Sequence, residues 1–162
     1  MEERLIKVGI THGDINGIGY EVILKTFSDA RVAELCTPVI YGSSKIAAYH
    51  RKALELPPVN MNIISQAEDA GINRVNIINC VDDETKVELS QSTSIAGEAA
   101  FLALEAAVTD LKRGAVDVLL TAPINKHNIQ NDEFHFPGHT EYLEERFGGV
   151  GRKALMILMK DG

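Results

Sequence analysis

Short apolar runs alternate with amphipathic segments along most of the 162-residue chain. The apolar runs predict strands, and the segments with apolar residues three and four apart predict helices. Predicted strands lie at 4–10, 37–43, 61–65, 74–80, 115–123 and 153–159. Predicted helices, with their caps, lie at 18–29, 43–56, 93–114 and 140–148. Strands that alternate with helices in this way indicate an α/β fold, a mostly parallel sheet with helices on both faces.

Several of these elements carry finer expectations. Ile18, Val22, Ile23 and Phe27 have helical spacing and are expected on the buried face of the first helix. The continuous apolar run 115–123 is typical of a fully buried strand. Pro57 and Pro58 are expected to end the second helix.

The longest predicted helix has Thr93 or Ser94 available as N-cap and Gly114 as its end. The chain finishes directly after the predicted strand 153–159, where a doubly wound fold normally continues into a helix. We therefore expect this sequence to be cut short relative to the complete fold.

Composition narrows the class of protein. The formal net charge is −7 and no cluster of Lys and Arg is present, which argues against a nucleic-acid partner. No apolar run approaches the roughly 20 residues that span a bilayer, and no signal-peptide pattern is present, so a cytoplasmic protein without a membrane partner is expected. Cys36 and Cys80 are far apart in apolar surroundings and are expected to be buried free thiols.

A glycine-rich loop, "THGDINGIGYE" at 11–21, joins the first strand to the first helix. Its glycines fit neither the dinucleotide pattern G-x-G-x-x-G nor the P-loop pattern. Free backbone N–H groups before the helix could bind an anion. Alternatively, Asp14 and Asn16 could cap the helix themselves, which would leave no site.

A second loop, "TAPINKHN", follows the predicted strand 115–123. Ligands of open α/β sheets bind at the carboxyl ends of the strands. Pro123 fixes the direction in which the chain leaves the strand, and Asn125 and Lys126 follow on a predicted helical turn. Lys126 could bind a phosphate or carboxylate, or it could be a solvated lysine on a short helix.

The histidines do not form a convincing metal motif. Pro137 and Gly138 separate His135 from His139 and exclude a shared helical face. His12 and His127 each stand alone at a strand end, and His50 lies on a helix that looks exposed. In "PGHTEYLEERFGG", Thr140 is the expected N-cap, which would place His139 just before the helix, where both could face an anion. Alternatively, Thr140 only caps and His139 only packs.

Three stretches, taken together, resemble the 4-hydroxythreonine-4-phosphate dehydrogenases of vitamin B6 (pyridoxal phosphate) biosynthesis. "THGDINGIGYEV" resembles the family's G-D-P-A-G-I-G-P-E, "VDVLLTAPINK" its strand and T-A-P-I-N-K, and "FPGHTEYLEERFG" its G-H-T-E segment. The first motif departs from the family, because Ile15, Asn16 and Tyr20 replace Pro, Ala and Pro.

The resemblance implies a fold like that of isocitrate and isopropylmalate dehydrogenases, with two lobes around a cleft and a lobe boundary near 121–140. It implies a homodimer, NAD as cofactor and a divalent metal (zinc, magnesium or cobalt). The implied reaction oxidises 4-phosphohydroxy-L-threonine and decarboxylates the product to 3-amino-2-oxopropyl phosphate.

By motif, His139 and Thr140 would bind the substrate, with Asp14, Asn125 and Lys126 as supporting residues. The family's metal-binding histidines would follow beyond the chain, so no metal ligand is expected within it. The chain is then the N-terminal part of a longer enzyme and is expected to be inactive alone. Alternatives are a dehydrogenase of another phosphorylated four-carbon hydroxy acid, a phosphotransacetylase-like acyl-phosphate transferase, or a non-catalytic phosphate-binding domain.

Overall fold

A computed structural model describes residues 5–149, 151, 153–155, 157 and 159. Within this part of the chain, five parallel strands form one sheet in the order β3-β4-β2-β1-β5. The strands are β1 (Lys7–Thr11), β2 (Thr37–Gly42), β3 (Met61–Ile64), β4 (Val75–Asn79) and β5 (Val118–Thr121). The helices are α1 (Gly19–Phe27), α2 (Val32–Leu35), α3 (Ser44–Ala53), α4 (Ser94–Lys112) and α5 (His139–Phe147), with a 3-10 turn at Ala67–Asp69.

Helices cover both faces of this sheet, as predicted. Ile10 of β1 and Ile40 of β2 pack with Ile23 of α1 on one face. Side chains of β2 that point the other way, such as Val39, pack against α4 at Ala103. The predicted parallel α/β fold is therefore confirmed. The short α2 was not predicted, because four residues are too few to show helical periodicity.

The buried face of α1 differs from the predicted one. Ile23 and Phe27 are buried, whereas Ile18 and Val22 are exposed. The buried positions follow the spacing of one helical stripe that also includes a tyrosine: Gly19, Tyr20, Ile23, Leu24 and Phe27. Val22 lies outside that stripe, and Ile18 is the N-cap and precedes the first helical residue.

Side-chain caps fix the starts of α3 and α4. Ser43 is the N-cap of α3, and its hydroxyl accepts a hydrogen bond from the Ile46 N–H at 3.3 Å. Of the two caps considered for α4, Thr93 is the N-cap and accepts from the Ala96 N–H at 3.2 Å. The helix stops before Gly114, which has a φ of +75°.

The strand β5 is more exposed than predicted. It covers only Val118–Thr121, and its side chains Val118 and Leu120 are 45% and 54% exposed. Within the described residues β5 pairs only with β1 and therefore forms an edge of the sheet. The apolar run lies at an edge where one face is open, so the prediction of a fully buried strand was wrong.

Other expectations have mixed outcomes. Residues 156 and 158 of the predicted strand 153–159 lie outside the described residues, so that strand stays a prediction. Cys36 and Cys80 are free but only partly buried, and burial raises the pKa of both thiols, that of Cys80 to about 12. No helix in the described part of the chain is long and apolar enough to cross a bilayer.

Candidate substrate-binding site

Loops from different parts of the chain meet at the carboxyl edge of the sheet. The loop after β1 lies against the segment after β5, where the Asp14 N–H donates to the Pro123 carbonyl at 2.9 Å. The Ala122 N–H donates to the carbonyl of Thr11 at 3.1 Å. The two motifs that the sequence separates by about a hundred positions are therefore in direct contact.

Gly13 makes this close contact possible. Its φ is +69°, and a Cβ at this position would lie 2.2 Å from the carbonyl oxygen of Pro123. Any larger residue would push the two loops apart. This glycine allows two loops of the chain to pack closely, whereas the glycines of a P-loop allow the backbone to surround a phosphate.

The suggestion that Asp14 or Asn16 caps α1 was wrong. The N-cap of α1 is Ile18, which makes no side-chain cap hydrogen bond. The Asp14 carboxylate instead accepts from the backbone N–H of Asn16 at 2.9 Å and so closes a turn within the loop.

Asn16 joins this loop to the segment 88–93, which precedes α4. Its side chain is buried, with the residue 3% exposed. The amide nitrogen donates to the carbonyl of Gln91 at 2.9 Å and to the hydroxyl of Thr93 at 3.1 Å. The amide oxygen accepts from the Glu88 N–H at 2.7 Å. Every one of these partners is more than seventy positions away in the sequence, so no local pattern indicates them.

Asn125 organises the turn that carries Lys126. Its side-chain oxygen accepts from the N–H groups of His127 and Asn128, at 3.0 and 3.4 Å. Its carbonyl accepts from the Ile129 N–H at 3.2 Å, which makes residues 125–129 a single helical turn, hereafter the Asn125 turn. The Asn125 amide nitrogen also donates to the Ser92 hydroxyl at 3.1 Å. The predicted turn is confirmed.

The start of α5 differs from the prediction by two residues. Gly138 is the N-cap and His139 is the first helical residue, so the assignment of Thr140 as N-cap was wrong. The physical reason is that the Gly138 carbonyl already accepts from the Tyr142 N–H at 3.4 Å and closes the first turn. Gly138 makes no side-chain cap hydrogen bond.

Lys126 lies beside this helix start. A Cβ built on Gly138 would be 3.7 Å from the Cε of Lys126. We call Lys126, His139 and the exposed Thr140 the anion clamp. It combines a lysine ammonium with the positive end of the helix dipole, an arrangement that favours a phosphate or carboxylate. Asn125 closes the turn that carries Lys126, whereas the contact of Asp14 with this segment is to Pro123.

His139 contributes a neutral group to the clamp. Its Nε2 atom is buried and has no hydrogen-bond partner within the described part of the protein. Burial lowers the pKa of His139, and the positive charge of Lys126 lowers it further. The imidazole is therefore neutral near pH 7 and can donate one hydrogen bond or accept one from a bound group.

His12 and His50 are also buried. His50 was expected on an exposed helix, but it is 2% exposed, and its Nε2–H donates to the Ile15 carbonyl at 2.7 Å. His12 stacks on Tyr20 with ring centroids 5.2 Å apart, and burial lowers the pKa of His12 to about 4. Tyr20 lies between the two histidine rings and fixes both.

The remaining histidines, His127 and His135, are exposed. Within the described residues, no three His, Cys, Asp or Glu side chains come together in a way that could hold a metal ion.

The parallel sheet, its covering helices and the loops that meet at the carboxyl ends of its strands define the class of open-sheet α/β proteins, whose ligands bind at that edge. The family model described as "Pyridoxal phosphate biosynthetic protein PdxA" matches residues 34–162. The chain belongs to this family.

Curated relatives carry the same assignment. The chain is 61% identical over 161 residues to a 4-hydroxythreonine-4-phosphate dehydrogenase of Bacteroides thetaiotaomicron, covering 99% of this chain and 44% of the relative. It is 35% identical to the enzyme of that name from a Sulfurihydrogenibium species, covering 96% of this chain and 46% of the relative.

Solved structures agree in fold. A 4-hydroxythreonine-4-phosphate dehydrogenase from Burkholderia phymatum matches with a TM-score of 0.78 at 29% identity, covering 90% of this chain and 44% of that one. The corresponding Klebsiella pneumoniae structure matches with a TM-score of 0.78 at 25% identity, covering 90% and 45%. The chain thus spans less than half the length of the relatives that it matches.

Proposed function

We propose that this chain forms the substrate-binding part of an enzyme that oxidises 4-phosphohydroxy-L-threonine with NAD in pyridoxal phosphate biosynthesis. The observation that carries the proposal is the 61% identity to a 4-hydroxythreonine-4-phosphate dehydrogenase across 99% of this chain. Decarboxylation of the oxidised product would give 3-amino-2-oxopropyl phosphate.

Within this chain, the anion clamp is the proposed substrate site. Lys126 supplies a positive charge, the start of α5 supplies backbone N–H groups, and His139 and Thr140 supply side-chain hydrogen bonds. Asn125 fixes the Asn125 turn, and Asp14 ties the neighbouring loop to Pro123 through its N–H. These groups bind and orient an anionic substrate and hold it at the sheet edge.

We propose NAD and a divalent metal as the cofactors of the full-length enzyme, since the resemblance implies both. Because the described residues offer no group of three metal ligands, we assign no step of the reaction to a metal held by this chain. The resemblance also leads us to propose that the working enzyme is a homodimer. We further propose that it is cytoplasmic and that this portion alone is inactive.

We further propose that the boundary between the two lobes of the enzyme lies near 121–140. Regular structure supports this placement, because β5 ends at Thr121 and the next helix begins at His139. The residues between them form turns and one isolated bridge between Asn131 and Phe134.

Steady-state kinetics of the full-length enzyme test the proposal. Lys126→Gln and His139→Asn should each raise KM for 4-phosphohydroxy-L-threonine by about tenfold or more, the effect of losing one charged or buried hydrogen bond to a substrate. His135→Asn, which alters an exposed histidine outside the clamp, serves as the matched control and should leave KM unchanged. If the enzyme forms no NADH from this substrate, the proposed reaction is wrong.

A second candidate substrate has support of its own. The chain is 32% identical over 143 residues to a Clostridium botulinum protein named "Putative D-threonate 4-phosphate dehydrogenase", covering 85% of this chain and 42% of that protein. D-threonate 4-phosphate carries the same phosphate but lacks the amino group. Comparing kcat/KM for the two substrates decides between them, and the lower identity makes the threonate the second choice.

A further inference from the structure

We propose that Asn16 is a positioning residue for the anion clamp and acts on it through residues 88–93 and the Asn125 turn. The inference rests on the proposed function only in that the clamp is the place where substrate binds. The structural coupling itself can be measured without any substrate.

The first link is the attachment of residues 88–93 to Asn16. Both polar atoms of the Asn16 side chain are used, in three hydrogen bonds to Glu88, Gln91 and Thr93. The Asn16 carbonyl accepts a fourth from the Ser90 N–H at 2.9 Å. Because the asparagine is buried, breaking one of these bonds would leave a polar group without a partner and without water. The segment is therefore held firmly to the loop after β1.

The second link is Ser92, which lies between two of the residues that Asn16 holds. Its hydroxyl accepts from the side-chain nitrogen of Asn125 at 3.1 Å. The oxygen of the same Asn125 amide accepts from the N–H groups of His127 and Asn128. One planar amide thus connects the segment to the Asn125 turn, and a displacement of Ser92 displaces the group that closes the turn.

The third link is the step from the turn to the clamp. Lys126 is part of the Asn125 turn, and its Cε lies close to Gly138 at the start of α5. Hydrogen bonds, joined by the backbone on either side of Ser92, therefore lead from Asn16 to the turn that contains the charged residue of the clamp. An alanine, which the resembled motif has at this position, could make none of the side-chain bonds of Asn16.

Amide exchange measured by NMR on the 15N-labelled protein tests this coupling. In Asn16→Ala, a purely local role would reduce protection only at the Glu88 and Ser90 amides. The proposed coupling also reduces protection at the His127 and Asn128 amides, by about three- to tenfold, as expected for the loss of about one hydrogen bond in a local opening equilibrium.

Two more variants keep the test decisive. Ser92→Ala alters an exposed serine and removes only the bond to Asn125, so it should reduce protection at His127 and Asn128 while Glu88 and Ser90 keep theirs. Asn79→Ala is the matched control, because Asn79 accepts from the Ser44 N–H at 2.8 Å on the same sheet edge but outside the network. It should leave all four amides unchanged.

The pKa of the His139 imidazole provides a second readout. It is measured from the pH dependence of the NMR signals of the imidazole. Lys126→Gln removes the nearby charge and should raise the pKa of His139. Asn16→Ala and Ser92→Ala should shift it in the same direction, because the lysine is no longer held beside the helix.

Unchanged protection at His127 and Asn128 in Ser92→Ala would overturn the inference, even if Asn16→Ala failed to fold. A failure of the proposed function would appear separately, as an inactive full-length enzyme whose amide coupling is intact.

Discussion

At the scale of single residues, the carboxyl edge of the sheet depends on buried polar side chains that bridge distant loops. The Tyr20 hydroxyl accepts from the Ser43 N–H at 2.8 Å and donates to the Ser43 carbonyl at 3.2 Å. Tyr20 and Asn16 stand where the resembled motif has Pro and Ala, which have no polar side chain. The loop after β1 is thus fixed by hydrogen bonds at positions where the resembled motif has Pro and Ala.

Gly97 is the residue where a small change should matter most for stability. It lies within α4, and a Cβ there would be 1.7 Å from the carbonyl oxygen of Asn128. Alanine favours helices by about 1 kcal/mol over glycine, but this overlap involves backbone that cannot easily move. We expect Gly97→Ala to lower the free energy of unfolding in urea by about 2 kcal/mol or more.

Gly17→Ala is the control for this substitution, because the nearest atom to its added Cβ would be the Asp14 carbonyl oxygen at 3.4 Å. It should change the free energy of unfolding by no more than about 0.5 kcal/mol. If Gly97→Ala changed the free energy of unfolding as little as Gly17→Ala, the Asn125 turn would be able to move away from α4 without cost.

His12 should make stability depend on pH. Burial lowers its pKa from 6.5 to about 4 in the folded protein. The unfolded chain therefore takes up the proton first as pH falls, so stability is constant above about 6.5 and is lost between about 6.5 and 4. Between about pH 7.5 and pH 5, this one group should lower the free energy of unfolding by about 2 kcal/mol.

Urea denaturation at the two pH values checks this prediction. His12→Phe keeps a flat ring against Tyr20 but cannot titrate, so its stability should fall less over the same range. His50 is also buried with a lowered pKa and remains in the variant, so some pH dependence should persist. An identical loss in the variant and the unchanged protein would contradict the assignment to His12.

At the scale of elements, the sequence predicted the features that depend on a pattern within one short stretch. It did not predict the features that depend on contacts between distant stretches. The five strands and the Thr93 cap of α4 follow from apolar runs and local capping preferences. The first residue of α5 was misplaced because Thr140 is a good N-cap by residue type, while the Gly138 carbonyl closes the turn earlier. Burial of His50 depends on the carbonyl of Ile15, which no pattern on its own helix reveals.

Thr93 belongs to both the helix α4 and the site. Its hydroxyl accepts from the Ala96 N–H and from the Asn16 amide. Thr93→Ala removes both bonds and should lower the free energy of unfolding by about 1–2 kcal/mol. Thr93→Ser keeps the hydroxyl and should cost no more than about 0.5 kcal/mol in the same thermal or urea measurement. Equal costs for the two substitutions would mean that the lost methyl group, and not the hydroxyl, stabilises this end of α4.

At the scale of the whole molecule, the sheet is covered unevenly on the face of α1. Ile10 and Leu120 are register partners on neighbouring strands and point to the same face. Ile10 is 4% exposed because it packs with Ile23 and Phe27 of α1, whereas Leu120 is 54% exposed. The sequence could not predict this difference, because both residues lie in similar apolar runs and only the position of α1 over the sheet separates them.

This pair gives a direct test of how the sheet is covered. Ile10→Thr places a hydroxyl under α1 and should lower the free energy of unfolding by about 2 kcal/mol or more. Leu120→Thr changes a side chain that water already reaches, so we expect about 0.5 kcal/mol or less. Urea denaturation of both variants at two protein concentrations is the measurement. If Leu120→Thr cost as much as Ile10→Thr, and more at the higher concentration, the open face of β5 would be buried in solution by a second copy of the chain.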